Sequence, residues 1–254
     1  MNAWCDGVSV PSSSLPARTG VAPFETMGAV RGDVRLWDRH LERLRLAAAR
    51  LGVVWREPAG LRAAAADLLR GNGHADDVLR LAVVPAGTAV HTIMQSRARS
   101  PVKVVQLLPT VVEPPANGPP GDVKAEPRAF YDAVRQQAQD GGADDGIVVG
   151  RDGAVLECAL GNLWLRIDGA WVTPALDGRV LPGIARRLLL DGARARGVAV
   201  VERACDLADL HRATAIAHSN AVYGPRPAAL VGQPGATAVV RAELGVFWGS
   251  VTGA

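Results

Sequence analysis

Lysine is almost missing from this chain of 254 residues: of 28 basic side chains only Lys103 and Lys124 are lysines, which leaves 26 arginines. An arginine-favouring codon bias explains most of that imbalance. The two residues are not interchangeable, because only lysine can shed its proton near neutrality and attack a carbonyl. Cysteine is scarce as well. Cys5, Cys158 and Cys205 are too few and too scattered for a disulfide framework or a zinc site, which points to a reduced, cytoplasmic protein. No run of eighteen apolar residues occurs, and the first seven residues carry Asp6 and no basic side chain, so neither a membrane span nor a secretory signal is expected. A net charge of +3 with no basic tract does not favour nucleic acid as a partner. The P-loop, the G-x-G-x-x-G turn, H-E-x-x-H and G-x-S-x-G are all missing. His40, His74, His91, His211 and His218 show no ligand spacing and read as structural residues, so no metal is expected.

What is present is an ordinary globular composition. Hydrophobic residues are 48% and charged residues 21%, enough for a sizeable core. Trp37, Leu41, Leu44, Ala48 and Leu51 recur at steps of three and four, predicting an amphipathic helix over 36–51. A second helix is expected over 59–69, ending at Gly71, and a hairpin over 78–85 and 89–95 around Ala86-Gly87. A third strand follows at 102–108. Residues 111–122 then hold four prolines and two glycines, a composition that suits neither helix nor central strand. Beyond lie a helix over 127–138, hairpins about Asp152-Gly153 and Asp168-Gly169, a helix from Leu181-Pro182-Gly183 to about Arg196, strands at 198–201 and 214–217, and a terminal helix over 241–249. The pattern is α+β without a regular βαβ rhythm. It divides into a small N-terminal α/β subdomain (1–110), an interdomain loop (111–122) and a larger C-terminal β-rich subdomain (123–254).

Four segments in order carry chemistry: Asp38-Arg39-His40-Leu41-Glu42-Arg43-Leu44 shortly after Phe24-Glu25-Thr26-Met27; Lys124 four residues before Arg128; Glu157 five residues before Asn162; and Leu181-Pro182-Gly183-Ile184-Ala185-Arg186. Their order and spacing, from about Gly20 to Pro227, resemble the class IV aminotransferase family, the fold-type IV pyridoxal-phosphate enzymes with a D-amino acid aminotransferase-like fold. The resemblance implies pyridoxal 5′-phosphate as cofactor and Lys124 as its Schiff-base lysine. Glu157 matches the acid that keeps the ring nitrogen protonated. Leu181, Gly183, Ile184 and Ala185 match the helix start whose N–H groups hold the phosphate. Many relatives carry threonine where Ala185 stands, so a hydroxyl contact is lost. Arg43 matches the phosphate-pairing arginine of an H-L-x-R-L motif, and Ser219 and Asn220 match further polar contacts in a T-N-S-x-x-G-x-x-P segment.

Within that family two details lean toward 4-amino-4-deoxychorismate lyase. Thr26 falls where the lyases carry a threonine thought to assist proton delivery, and the K-x-x-x-R and E-x-x-x-G-N-L strings look lyase-like. Branched-chain transaminases tend to place an aromatic where this chain has Ala129. The implied reaction releases pyruvate and 4-aminobenzoate, as in folate biosynthesis. The alternatives are a transaminase acting on small amino acids or amines, with Arg80 as a carboxylate contact, and an inactive relative with a binding role, suggested by Pro23 just before Phe24. The family also implies a homodimer.

Overall fold

Two separate sheets organise the chain. The structure, a computed structural model, describes residues 1–101, 103–112 and 117–252. In chain order the elements are β1 (Asn2–Cys5), β2 (Val8–Pro11), β3 (Ala22–Val30), β4 (Asp33–Val34), α1 (Trp37–Arg50), α2 (Leu61–Gly71), β5 (Val78–Ala86), β6 (Ala89–Arg97), β7 (Val105–Val111), β8 (Ala125–Glu126), α3 (Ala129–Asp140), β9 (Asp145–Val149), β10 (Val155–Cys158), β11 (Asn162–Ile167), β12 (Ala170–Pro174), α4 (Ile184–Ala195), β13 (Val200–Arg203), α5 (Leu207–Arg212), β14 (Ala215–Asn220), β15 (Gly224–Leu230), α6 (Thr237–Val240) and, after a π turn, α7 (Val246–Thr252). This is the α+β content expected. Among the described residues no helix is long and apolar enough to cross a membrane.

The first compact unit is Met1–Pro101 with Val123–Pro127. Its sheet runs β2-β1-β6-β5-β3-β4, with β8 pairing β3. Trp37, Leu41 and Leu44 of α1 and Leu61, Ala65, Leu68 and Leu69 of α2 pack against Met27, Leu79, Leu81 and Met94 of the sheet. The helical spacing of these side chains makes one apolar stripe on each helix, and strand alternation gives the sheet its matching face. The turn expected at Ala86-Gly87 joins β5 to β6, with Gly87 at φ 62°. α2 ends at Gly71 as expected, and Gly73, at φ 73°, supplies the left-handed exit just beyond it.

The second unit is Val102–Asp122 with Arg128–Ala254, built on a sheet of order β10-β9-β7-β15-β14-β11-β12-β13. Both faces are covered. Leu163, Leu165 and Ile167 of β11 join one core, while Trp164, Trp171, Leu189 and Phe247 form the other with α4 and the C-terminal helices. Burial on both sides explains the continuous apolar stretch Leu163-Trp164-Leu165 in the middle of β11.

The division at 110 and 123 does not match these units. β7 pairs β15 and β9 of the second sheet, while residues 123–127 return to the first unit, where Ala22 and Pro23 pair Glu126 and Ala125. Long-range pairing, invisible to local composition, overrides the proline-rich boundary. Part of the expected 111–122 loop, residues 113–116, lies outside the described residues, as does Val102. β15 had no sequence signal because it holds Pro225 and Pro227. Residues 224–227 pair β14 alone, whereas pairing to β7 begins at Ala228, so the missing N–H groups break no second ladder. Pro23 is accommodated similarly: the β3–β8 link is made by Phe24 N–H donating to the Lys124 carbonyl (3.1 Å).

Candidate active site

Lys124 stands at the entry to β8, and its Nζ lies 4.6 Å from the centroid of the Phe24 ring. The Arg80 guanidinium lies over the same ring at 3.8 Å and donates to Glu126 Oε1 at 2.9 Å. Thr26 is two residues beyond Phe24 on β3 and pairs directly with Arg80 on β5, so strand geometry puts Phe24, Thr26 and Arg80 on one face. Both cations are held against the ring by its electron-rich face. The structure thus brings Thr26 and Lys124 to the same part of the first unit.

Arg43 faces Glu25. Its Nε donates to Glu25 Oε1 and its Nη2 to Oε2, each at 2.7 Å, and His40 Nδ1 donates to Oε2 at 2.6 Å. Glu25 is fully buried. Burial alone would raise its pKa, but Arg43 and His40 overcome that and lower it from 4.5 to about 2. Burial holds the His40 imidazole below its usual range, despite the opposing pull of Glu25. With Nδ1–H committed to the carboxylate, His40 Nε2 carries a lone pair, and this buried atom has no hydrogen-bond partner among the described residues. A buried polar atom left in this way is open to a further partner.

In the second unit Glu157, at the end of β10, is buried and accepts from three donors: Tyr131 O–H (2.9 Å) at Oε1, and Asn162 Nδ2 (3.3 Å) and Leu181 N–H (3.2 Å) at Oε2. Asn162 Nδ2 also donates to the Leu181 carbonyl at 2.9 Å. These bonds tie Glu157 to the segment leading into α4. Gly183 precedes that helix in an extended conformation, and no side chain caps its first turn. A Cβ at Gly183 would run into Asn162 Oδ1, so only glycine lets the Asn162 side chain and the start of α4 approach this closely. Gly183, Ile184 and Ala185 therefore present N–H groups at the positive end of a twelve-residue helix, suited to an anion.

Ser219 Oγ is buried and accepts from Trp164 Nε1 at 2.9 Å, which leaves its own proton available to donate. Asn220 is committed locally: Oδ1 caps the Val222 and Tyr223 N–H groups and Nδ2 donates to the Leu160 carbonyl. Beneath this loop Asp145 accepts from Gly146 N–H and Leu160 N–H, and His218 Nε2 lies 3.3 Å from Asp145 Oδ2. Asp145, Cys158 and His218 come close enough to suggest a metal site. Arg226 Nη2, however, donates to His218 Nδ1 at 3.2 Å, which puts the imidazole hydrogen on Nε2 and makes that nitrogen a poor ligand. Asp145, through its bond from Leu160 N–H, holds residues 159–162 in place.

Sequence reasoning left Tyr131 and the Glu25–His40 pair without a role. Tyr131 is one of only two tyrosines, a thin signal, and nothing local says that Glu25 is buried.

Comparison with known proteins now bears on this arrangement. The sequence profile of the amino-transferase class IV family matches residues 22–231, and the chain belongs to that family. No curated protein matches. Among solved structures the chain is similar to a hypothetical aminotransferase from Mycobacterium tuberculosis (23% identity, TM-score 0.81, 99% of each chain covered). It is also similar to the branched-chain amino acid aminotransferase from Escherichia coli (21%, 0.81, 99% of this chain and 94% of that one). A third likeness is to a protein from Legionella pneumophila described as a candidate 4-amino-4-deoxychorismate lyase (19%, 0.74, 88% and 90%). At these identities the likeness establishes the fold, that of a fold-type IV enzyme, and the family's cofactor is pyridoxal phosphate.

Proposed function

We propose that the chain is a pyridoxal-phosphate-dependent lyase that converts 4-amino-4-deoxychorismate to 4-aminobenzoate and pyruvate. The observation that carries this reading is the placement of Thr26 on the strand face whose Phe24 ring sits under Lys124 Nζ. A hydroxyl and an amine associated with one strand face suit a reaction that removes a proton at one carbon and returns it to another. The residues fit the cofactor: the α4 start is an uncapped anion cradle, Glu157 is a buried carboxylate held by three donors, and His40 Nε2 lacks a partner.

Bound cofactor would supply a carbonyl carbon that takes up an amine and a ring that accepts electrons. Lys124 would hold it covalently and, with its amine free, would serve as general base, taking at Nζ the proton on the substrate carbon that bears nitrogen. That proton returns, through Thr26 Oγ1 or Lys124 Nζ, to the methylene carbon of the departing enolpyruvyl group, which leaves as pyruvate while the ring becomes aromatic. Glu157 keeps the ring nitrogen's proton in place. Gly183, Ile184 and Ala185 N–H groups hold the phosphate, with Arg43, Ser219 and Asn220 as further polar contacts and Leu181 anchoring Glu157. The enzyme acts in the cytoplasm as a homodimer.

A second reading, a transaminase acting on small amino acids or amines, is favoured by Arg80, whose guanidinium over Phe24 suits a substrate carboxylate. One experiment separates them: pyruvate release from aminodeoxychorismate by cofactor-loaded protein with no keto acid present. Stoichiometric pyruvate and 4-aminobenzoate, abolished in Lys124→Ala, support the lyase. No release from protein that visibly holds cofactor favours the transaminase, to be followed by a screen of amino donors.

A further inference from the structure

Tyr131 lies in the first turn of α3, its ring edge-on to Phe130 (5.1 Å between centroids) and under the Arg128 guanidinium at 4.8 Å. Arg128 is itself anchored, donating from Nη2 to the Ala159 carbonyl at 2.6 Å. The phenol therefore has little freedom. Its oxygen is 2.9 Å from Glu157 Oε1 and 3.4 Å from the Gly121 carbonyl, so the single hydroxyl hydrogen goes to the nearer, charged acceptor. Burial and the Glu157 charge push the phenol far above its ordinary range, and Tyr131 stays a donor at every working pH. Asn162 and Leu181 occupy Oε2. A carboxylate gripped at both oxygens keeps one orientation, and each hydrogen bond it accepts draws off charge and makes it a weaker competitor for a further proton.

We propose that Tyr131 is a positioning residue for Glu157: its O–H orients the carboxylate and keeps the proton shared between Glu157 and the cofactor's ring nitrogen on the ring. This rests on the reading of Glu157 as the acid beside that nitrogen. Removing the donor leaves a more basic carboxylate, the proton drifts from the ring, and the ring becomes a poorer electron acceptor. The effect belongs in kcat rather than KM, because Tyr131 acts through Glu157.

The test uses full-length protein loaded with pyridoxal phosphate labelled with 15N in the ring. The ring-nitrogen shift is read in wild type, Tyr131→Phe, Glu157→Gln and protein carrying 3-fluorotyrosine at 131, a stronger donor. Tyr131→Phe should move the shift toward the unprotonated value and lower kcat about tenfold with KM little changed, the scale seen when a supporting hydrogen bond is lost at a site. The fluorinated residue, which retains shape, should move the shift the other way, an opposite sign that a merely structural role would not produce. If Glu157→Gln moves the shift while both changes at 131 leave it alone, the role of Tyr131 is overturned and the reading of Glu157 stands. If Glu157→Gln leaves the shift unchanged, or wild type takes up no cofactor, both readings fall.

Discussion

Replacing Glu25 with glutamine tests a fully buried charge cluster in the first unit. Glu25 is fully buried and accepts two bonds from Arg43 and one from His40, at 2.6 to 2.7 Å. A pKa lowered from 4.5 to about 2, at about 1.4 kcal/mol for each tenfold change in acidity, amounts to roughly 3 kcal/mol. The general cost of stripping one partner from a buried ion pair, about 3–5 kcal/mol, agrees. For a unit of this size each kcal/mol moves the midpoint by about 4–8 °C, so Glu25→Gln should melt at least about 12 °C below wild type at pH 7. The pH dependence has a definite sign. Because folding lowers this pKa, the contribution is complete above 4.5 and is lost as pH falls toward 2, where wild-type Glu25 takes up its proton. The gap between wild type and variant should therefore close over that window. Near-ultraviolet circular dichroism melts between pH 2 and 7 measure it, with the double variant Glu25→Gln/Arg43→Met recovering part of the loss. A gap under about 1 kcal/mol at pH 7, or one that does not narrow with acid, would refute the reasoning.

Gly183→Ala forces the new Cβ onto Asn162 Oδ1 and should weaken cofactor binding about tenfold, read by equilibrium dialysis; unchanged affinity would mean that α4 does not hold the phosphate. Ser219→Ala strands the buried Trp164 Nε1 donor and should cost about 1–3 kcal/mol in urea unfolding, whereas a neutral result would show the bond to be dispensable. Glu126→Gln removes the carboxylate that occupies Arg80 and should lower KM for carboxylate-bearing substrates several-fold; a KM that does not move would exclude Arg80 from substrate binding. Burial depresses both His40 and His218, so their share of stability is complete above 6.5 and fades as pH falls, and His218→Gln should flatten the upper part of the acid transition.

The helices and hairpins were legible because their signals are local. The steps of three and four in α1 and the paired left-handed residues of the Asp168-Gly169 turn (φ 50° and 79°) act over a few residues, whatever the rest of the chain does. The candidate lysine was proposed for a different reason: two lysines in 254 residues leave few choices, and four motifs in order point to Lys124. Strand partnership was not legible. Composition put a boundary at the prolines of 111–122, but hydrogen bonding assigned β7 to one unit and residues 123–127 to the other, because ladders form between residues far apart in sequence. β15 carries two prolines and became a strand only because β14 alone pairs its proline-bearing half.

The same line runs through the candidate site. Residue type and spacing nominate Lys124, Glu157 and the Leu181–Ala185 turn as candidates, since the capacity for covalent attachment, charge and anion binding belongs to side chains and short backbone segments. That Glu25 is buried with His40 and Arg43, that His40 Nε2 is left without a partner, and that Tyr131 reaches Glu157 across 26 residues of sequence depend on how helices settle on sheets. Burial and long-range contact are properties of the folded whole, and no window of sequence contains them.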